Sequence, residues 1–282
     1  MWSKHSKRLF WTCALPAALM LSQMVIYALH LAIGFELRFN LFQLCSSVVR
    51  KFGFMLAVYS LDAVVVSTLV MALAMVVREL AVARRTRRKL YAAMDVRASA
   101  KYNRLYGSGA GKIIVARCDE PIAFTFGFRR PLIVLSTGLL KLLDAGELAA
   151  VIHHERFHQR YHDPIKTYLL HFFGAVLWYI PILRWGHARY KLTREILADR
   201  YAIERQGTPA SLSGALVKML RYGRTGYAAV AHVSFADTGV NQRIRQLLEP
   251  SDRAKLQVPL VQAAISVHVI AVLGALFILA CS

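Results

Sequence analysis

Acidic residues are scarce in this 282-residue chain: 16 Asp and Glu stand against 36 Lys and Arg, for a net charge of +20. Charged residues of both signs reach only 18%, below the roughly 25% of ordinary soluble domains. A disordered polyelectrolyte is therefore excluded, because such chains are rich in charge and poor in apolar residues. Cysteine is nearly absent, with four scattered at 13, 45, 118 and 281. Neither a disulfide framework nor a Cys-x-x-Cys redox or metal motif can be built from that spacing. The glycine-rich stretch from Gly107 to Gly111 lacks the Gly-Lys-Ser/Thr and the helix of a phosphate loop, and reads as a turn. No internal repeat or low-complexity tract is present.

What the chain has instead is apolar length. The hydrophobic fraction is 56%, above the usual 45–50% or so. Residues 9–35 form a run without an acidic or basic residue apart from His30, and residues 52–77 a second, broken by Asp62. Residues 258–280 form a third, holding His268, with only Cys281 and Ser282 after it. Each exceeds the roughly 20 residues that cross a bilayer, and the first is too long for a signal-peptide core. Three transmembrane helices are expected: a hairpin over 1–77 and a C-terminal helix over 258–282. Between them, 78–257 carries 30 of the 36 basic residues and has the texture of a globular domain. Residues 78–104 hold nine basic residues and 36–51 only three, so the positive-inside rule places the N-terminus and the 78–257 domain in the cytoplasm. Basic flanks beside membrane helices are expected to meet lipid headgroups, not nucleic acid. Asp62, His232 and His268 have no role fixed by the sequence.

The 78–257 domain holds a pattern with chemical content. Asp144 and Glu147 have the spacing of a capping box, and the helix they start runs through His154, Glu155 and His158. Histidines four apart leave the same helix face one turn apart, close enough for two imidazole nitrogens to hold one Zn2+. Glu155, beside them, is placed to take a proton from a water that the metal activates. A zinc site needs a third protein ligand, expected on a second helix over 190–205. There Glu195 and Asp199, four apart, share a mostly apolar face, where a carboxylate is costly unless paired or metal-bound. Glu195 is expected to bind the zinc and Asp199 to fix the tautomer of a ligand histidine. The alternative is ion pairing to Arg194 and Arg200. Residues 168–183 form a further apolar run between the two helices. A single crossing there would put Glu195 on the opposite side from the histidines, and sixteen residues cannot cross twice. The run is therefore expected to be buried or to dip into the membrane.

Ala123-Phe-Thr-Phe-Gly127, Pro131 to Ser136, Gly138-Leu-Leu140, Glu147 to His158 and Asp163-Pro164, followed by Arg194 to Arg200, together resemble membrane gluzincin metallopeptidases. The BlaR/MecR-type antirepressor peptidases are the nearest in pattern, with HtpX-like and CAAX-processing peptidases more distant. The resemblance covers roughly 110–205. It implies an α+β zincin-like catalytic domain with a small β-sheet, inside a mainly α integral membrane protein of the bacterial inner membrane. It matches Glu195 with the zinc glutamate and Asp199 with its supporting aspartate. It assigns Ala123, Phe124, Thr125, Phe126 and Gly127 to an edge strand that holds the substrate backbone. His232 is considered as a donor to the oxyanion formed during hydrolysis. BlaR-type sensors carry a penicillin-binding domain for which this chain has no counterpart, so β-lactam sensing is not expected to carry over. The expected function is zinc-dependent endoproteolysis of a protein substrate, a regulator or a membrane protein. The rival is an inactive membrane-anchored regulatory protein with a basic cytoplasmic domain.

Overall fold

The computed structural model describes residues 2–34, 43, 46, 47, 50, 55–107, 112–225, 243 and 259–281. It is mostly helical with one small sheet. The order is α1 (Trp2–Ile33), α2 (Met55–Ala92), α3 (Val96–Tyr106), β1 (Ile113–Ala116), β2 (Ala123–Phe126), β3 (Leu132–Ser136), α4 (Thr137–Leu142), α5 (Ala145–Tyr161), α6 (Asp163–Val176), α7 (Pro181–Gln206), α8 (Ala210–Thr225) and α9 (Leu260–Cys281). The chain forms two compact units: Met1–Ser6 with Ala81–Tyr168 and Arg189–Lys255, and Lys7–Leu80 with Leu169–Ala188 and Leu256–Ser282.

The second unit holds the apolar helices. Two stretches are long and apolar enough to cross a membrane, Lys4–Ile33 in α1 and Val58–Ala92 in α2. These are two of the three expected spans. The third, α9, has 22 residues, and its side chains are described over Leu260–Val272, an apolar stretch. Asp62 accepts a hydrogen bond from Tyr27 at 2.5 Å, so the acid of the second apolar run joins two helices. His268 is exposed on α9. The 168–183 run is broken, with α6 ending at Val176 and α7 starting at Pro181. Proline suits a first helical position because its missing N–H needs no partner there.

The first unit is built on a three-stranded sheet of order β1-β3-β2. β1 runs parallel to β3, with Ile113 opposite Ile133, and β2 runs antiparallel to β3, with Thr125 opposite Ile133. Ile113, Val115, Ile133 and Leu135 pack with Leu148, Val151 and Ile152 of α5 in one core. The two outer edges of the sheet differ. Along β1, Ser99 Oγ of α3 accepts from Val115 N–H at 2.9 Å, and the Asn103 amide bonds both Ile113 N–H (2.9 Å) and Ile113 C=O (2.6 Å). Ser99 and Asn103 are one helical turn apart, so one face of α3 closes that edge. Asp95 makes this possible. It separates α3 from α2 by capping α3, accepting from Ala98 N–H at 2.9 Å. The outer edge of β2 has no strand beside it among the described residues.

The zinc-motif helix α5 is fixed at its start. Asp144 accepts from Glu147 N–H and Glu147 from Asp144 N–H, the complete capping box. Such a cap contributes about 1 kcal/mol. Glu147 is buried and also accepts from Lys218 of α8 at 2.6 Å. Ala150 of α5 packs with Ala202, Leu212 and Leu216, which joins α5 to α7 and α8.

Candidate active site

His154, His158 and Glu195 converge: one ligand atom from each lies within 4.8 Å of the others, and all three side chains are buried. The i, i+4 spacing on α5 brings His154 Nε2 and His158 Nε2 to 3.2 Å. Glu195 of α7 closes the group, with Oε2 at 3.5 Å from His154 Nε2 and Oε1 at 3.7 Å from His158 Nε2. Two nitrogens on one tetrahedral zinc at about 2.0–2.1 Å would lie roughly 3.3–3.4 Å apart, so the spacing fits that ion.

Each imidazole is oriented from behind. Asp199, one turn after Glu195, lies 2.9 Å from His154 Nδ1. Asp163 lies 2.9 Å from His158 Nδ1. An aspartate on Nδ1–H leaves Nε2 with its lone pair free for a metal. Asp163 reaches His158 because His162 ends α5 in the left-handed conformation, φ 53°, which turns the chain back so that α6 starts beside the last turn of α5. Asp163 is held in turn by Arg194, whose Nε is 2.8 Å from Oδ1 and whose guanidinium lies over the rings of Phe157 and Tyr161. The pairing of Glu195 and Asp199 with Arg194 and Arg200, considered as the alternative, is therefore not made by Arg194.

Arg243 takes a role in the site that the sequence did not assign. It is 1% exposed. Its Nε and Nη2 donate to the two oxygens of Asp199 at 2.8 and 2.6 Å, and Nη1 lies 3.4 Å from Glu195 Oε2. It belongs to Asn241-Gln-Arg-Ile-Arg245, which in sequence resembles the basic segment that follows the catalytic helices in membrane gluzincins but has no role fixed by that resemblance. His232, considered as an oxyanion donor, lies outside the described residues.

Glu155 is 4% exposed and faces β2. The Thr125 hydroxyl is 2.8 Å from Glu155 Oε2 and 2.9 Å from the Glu155 carbonyl. Side chains alternate along a strand. Ala123 and Thr125 thus face α5, while Phe124 and Phe126 pack edge to face on the other side, 6.5 Å apart. Ala123 and Gly127 lie at the two ends of this stretch, Gly127 with φ 101° in the turn after β2.

The electrostatics are those of an unbalanced pocket. Glu155, Asp163, Glu195 and Asp199 are all buried, with Arg194 and Arg243 as their buried cations. With neutral imidazoles these six groups sum to two negative charges, the amount one divalent cation neutralises. Without metal, burial disfavours a charge on His154, but hydrogen bonds to Asp199 and Glu195 outweigh it and push its pKa up to about 9. Burial alone would raise the Glu195 pKa, yet the His154 hydrogen bond and the charges of His158 and Arg243 hold it at about 2. Arg243 holds Asp199 well below the usual carboxylate range against the same burial.

No curated protein sequence matches this chain. Among solved structures, the crystal structure of S. mikatae Ste24p is similar over 84% of this chain, at 17% identity and a TM-score of 0.38; this chain covers 66% of that one. The family model described as BlaR1 peptidase M56 matches residues 45–247, a span that takes in β2, both helices of the His-His-Glu cluster and Arg243, and the chain belongs to that peptidase family.

Proposed function

We propose that this membrane peptidase is a zinc-dependent endopeptidase whose site faces the cytoplasm and whose substrate is a protein. The observation that carries this reading is the convergence of His154 Nε2, His158 Nε2 and a Glu195 oxygen, with an aspartate behind each imidazole. Two imidazoles and one carboxylate are the donor set of a catalytic zinc, which leaves a fourth position for water or substrate. Bound there, zinc would polarise the scissile carbonyl and lower the pKa of water towards about 7.

The chain's own residues supply the rest. Glu155 takes the proton as general base and returns it to the leaving amine. The Thr125 hydroxyl holds Glu155 Oε2 in place, so the carboxylate keeps one orientation. The edge of β2, over Ala123–Gly127, has no strand beside it among the described residues and would offer backbone N–H and C=O groups to an extended substrate strand. That strand would lie beside Glu155, because Thr125 belongs to the same edge. The basic flank at 78–104 supports the cytoplasmic orientation and contact with anionic lipid, and the third span over 258–282 completes the proposed topology. A regulator such as a transcriptional repressor is a substrate class by analogy with the family alone.

Glu155→Gln should keep about one zinc per chain and lose proteolysis, while His158→Ala should lose both. Metal analysis beside a cleavage assay on the purified full chain reads the two properties separately. Full peptidase activity in Glu155→Gln would overturn the mechanism. A wild-type protein that binds zinc and cleaves nothing would favour a regulatory role.

A further inference from the structure

The turn that follows β2 leads away from Glu155 into a cleft of about 850 Å³. One wall is the turn itself, Phe126 to Leu132, and another is the end of α5 at Gln159, Arg160 and His162. The end of α2 and the residue before β1 close it, with Arg87 and Lys112 over the ring of Tyr91 at 5.7 and 5.6 Å. Five cations line this space, Arg87, Lys112, Arg129, Arg130 and Arg160, and no Asp or Glu does. All five are exposed, and among the described residues none is paired with a carboxylate. The dipole at the C-terminus of α5 accounts for Arg160. The other four come from three places, the end of α2, the residue before β1 and the turn after β2, and gathering them against their mutual repulsion focuses a positive potential into one recess.

The recess is tied to the catalytic residues. Buried Gln159, next to His158, donates to the Pro131 carbonyl at 3.0 Å, which fixes the turn to α5. Thr125 touches Glu155, and a strand advances about 3.3 Å per residue. The cleft therefore opens at Phe126 and Gly127, roughly 3–7 Å beyond the residue that marks the general base. We infer that this cleft is a specificity site for acidic side chains, and that the preferred substrate carries Asp or Glu within about four residues of the scissile bond, on one side of it. The inference rests on the peptidase reading with β2 as the substrate-binding strand. Anionic lipid headgroups would suit the same cations. A peptide is favoured because two walls continue the strand and the helix that carry Thr125 and His158.

The test uses the zinc-loaded full chain in a zwitterionic detergent. Two peptide libraries differ only in having Asp and Glu, or Asn and Gln, around each potential cleavage site, and mass spectrometry reads the products. Acidic peptides should be cleaved with kcat/KM about tenfold higher than their amide counterparts, with the acids confined to one side of the cut. The advantage should shrink between about 0.1 and 1 M salt, where the Debye length falls from about 10 to 3 Å. Arg129→Glu combined with Arg130→Glu should abolish or invert the acidic-to-amide ratio, and bound zinc reports that the variant's site is intact. Equal cleavage of the two wild-type libraries overturns the inference and leaves the peptidase reading standing, since the amide library alone tests that reading. Cleavage of neither library overturns both. Repeating the assay in phosphatidylcholine vesicles with and without phosphatidylglycerol covers the lipid case. An anionic-lipid effect lost in the double variant, with the peptide ratio unchanged, would make the cleft a headgroup site and overturn the inference.

Discussion

The Thr125 hydroxyl lies 2.8 Å from Glu155 Oε2, so the strand on which a substrate would lie also grips the proposed general base. Thr125→Val keeps the shape and removes the hydrogen bond. A hydrogen bond to a charged group contributes about 1.5–3 kcal/mol, so kcat should fall by roughly one to two orders of magnitude. KM and zinc content should change little, because the strand backbone and the three ligands are untouched. Thr125→Ser should restore most of the rate. Steady-state kinetics of the three proteins decide it, and a Thr125→Val enzyme as fast as wild type would remove this role.

Glu195 and Asp199 share one face of α7 but meet different atoms of His154, Nε2 and Nδ1. Glu195→Gln should lose zinc during ordinary purification. Asp199→Asn should retain it with an affinity or activity lower by about 10–100-fold. Dialysis against a graded chelator, followed by metal analysis, ranks the pair. A metal-free Asp199→Asn beside a loaded Glu195→Gln reverses the assignment.

Arg243 neutralises part of a buried group that is already two charges short. Arg243→Met should destabilise the fold by about 3–5 kcal/mol, the typical cost of stripping one partner from a buried ion pair. The loss should be larger in chelator than with zinc present, because the metal compensates the same carboxylates. Arg243→Lys should recover only part of it, since an ammonium cannot make the two parallel bonds to Asp199. Melting curves with and without zinc read both effects. Equal losses with and without zinc would separate Arg243 from the charge balance of the site.

Zinc bound as proposed would compete with a proton for His154. Its pKa in the metal-free protein is raised to about 9, above the unfolded value near 6.5. The protonated form therefore stabilises the metal-free fold below about pH 6.5, and that contribution is lost as pH rises through about 9. Zinc must displace the proton throughout this window, so from this group alone affinity should rise by about tenfold per pH unit and level off near pH 9. Titration against a competing chelator from pH 6.5 to 9.5, with proton release measured in parallel, follows the exchange. An affinity independent of pH would contradict it.

Membrane orientation has its own test. Reporters fused near residue 45 or after 282 should be outside, and those near 110 or 210 inside. Opposite-side labelling of 110 and 210 would separate His158 from Glu195 and dissolve the site.

The parts legible in the sequence are those set by short-range spacing. The capping box at Asp144 and Glu147 and the i, i+4 histidines each follow from a few neighbouring residues. Glu195 and Asp199 stand out as acids on an apolar helix face. What needed the structure depends on chain reversal or distance. Asp163 meets His158 only through the left-handed His162, a conformation rare enough for a non-glycine residue that spacing gives no hint of it. Arg243 lies 44 residues beyond Asp199 in sequence. Arg194 looked like a neighbour for Glu195, but adjacent helical residues point in different directions, and it serves Asp163 instead. The break between α2 and α3 was hidden because basic residues continue across it, and only Asp95 marks the cap.

The side chains of Ser99 and Asn103 occupy the backbone groups along β1, so among the described residues the edge left for a fourth strand is that of β2. β2 is four residues long, and a matching stretch of about 13 Å must be fully extended to dock. A helix or a packed loop cannot present such a stretch without melting first. The enzyme would then sample the local unfolding of its target as much as its sequence, sparing a well-folded protein and cutting the same chain once a segment loosens. Substrates that fray at a terminus, or that shed a partner and expose a strand, would be consumed first.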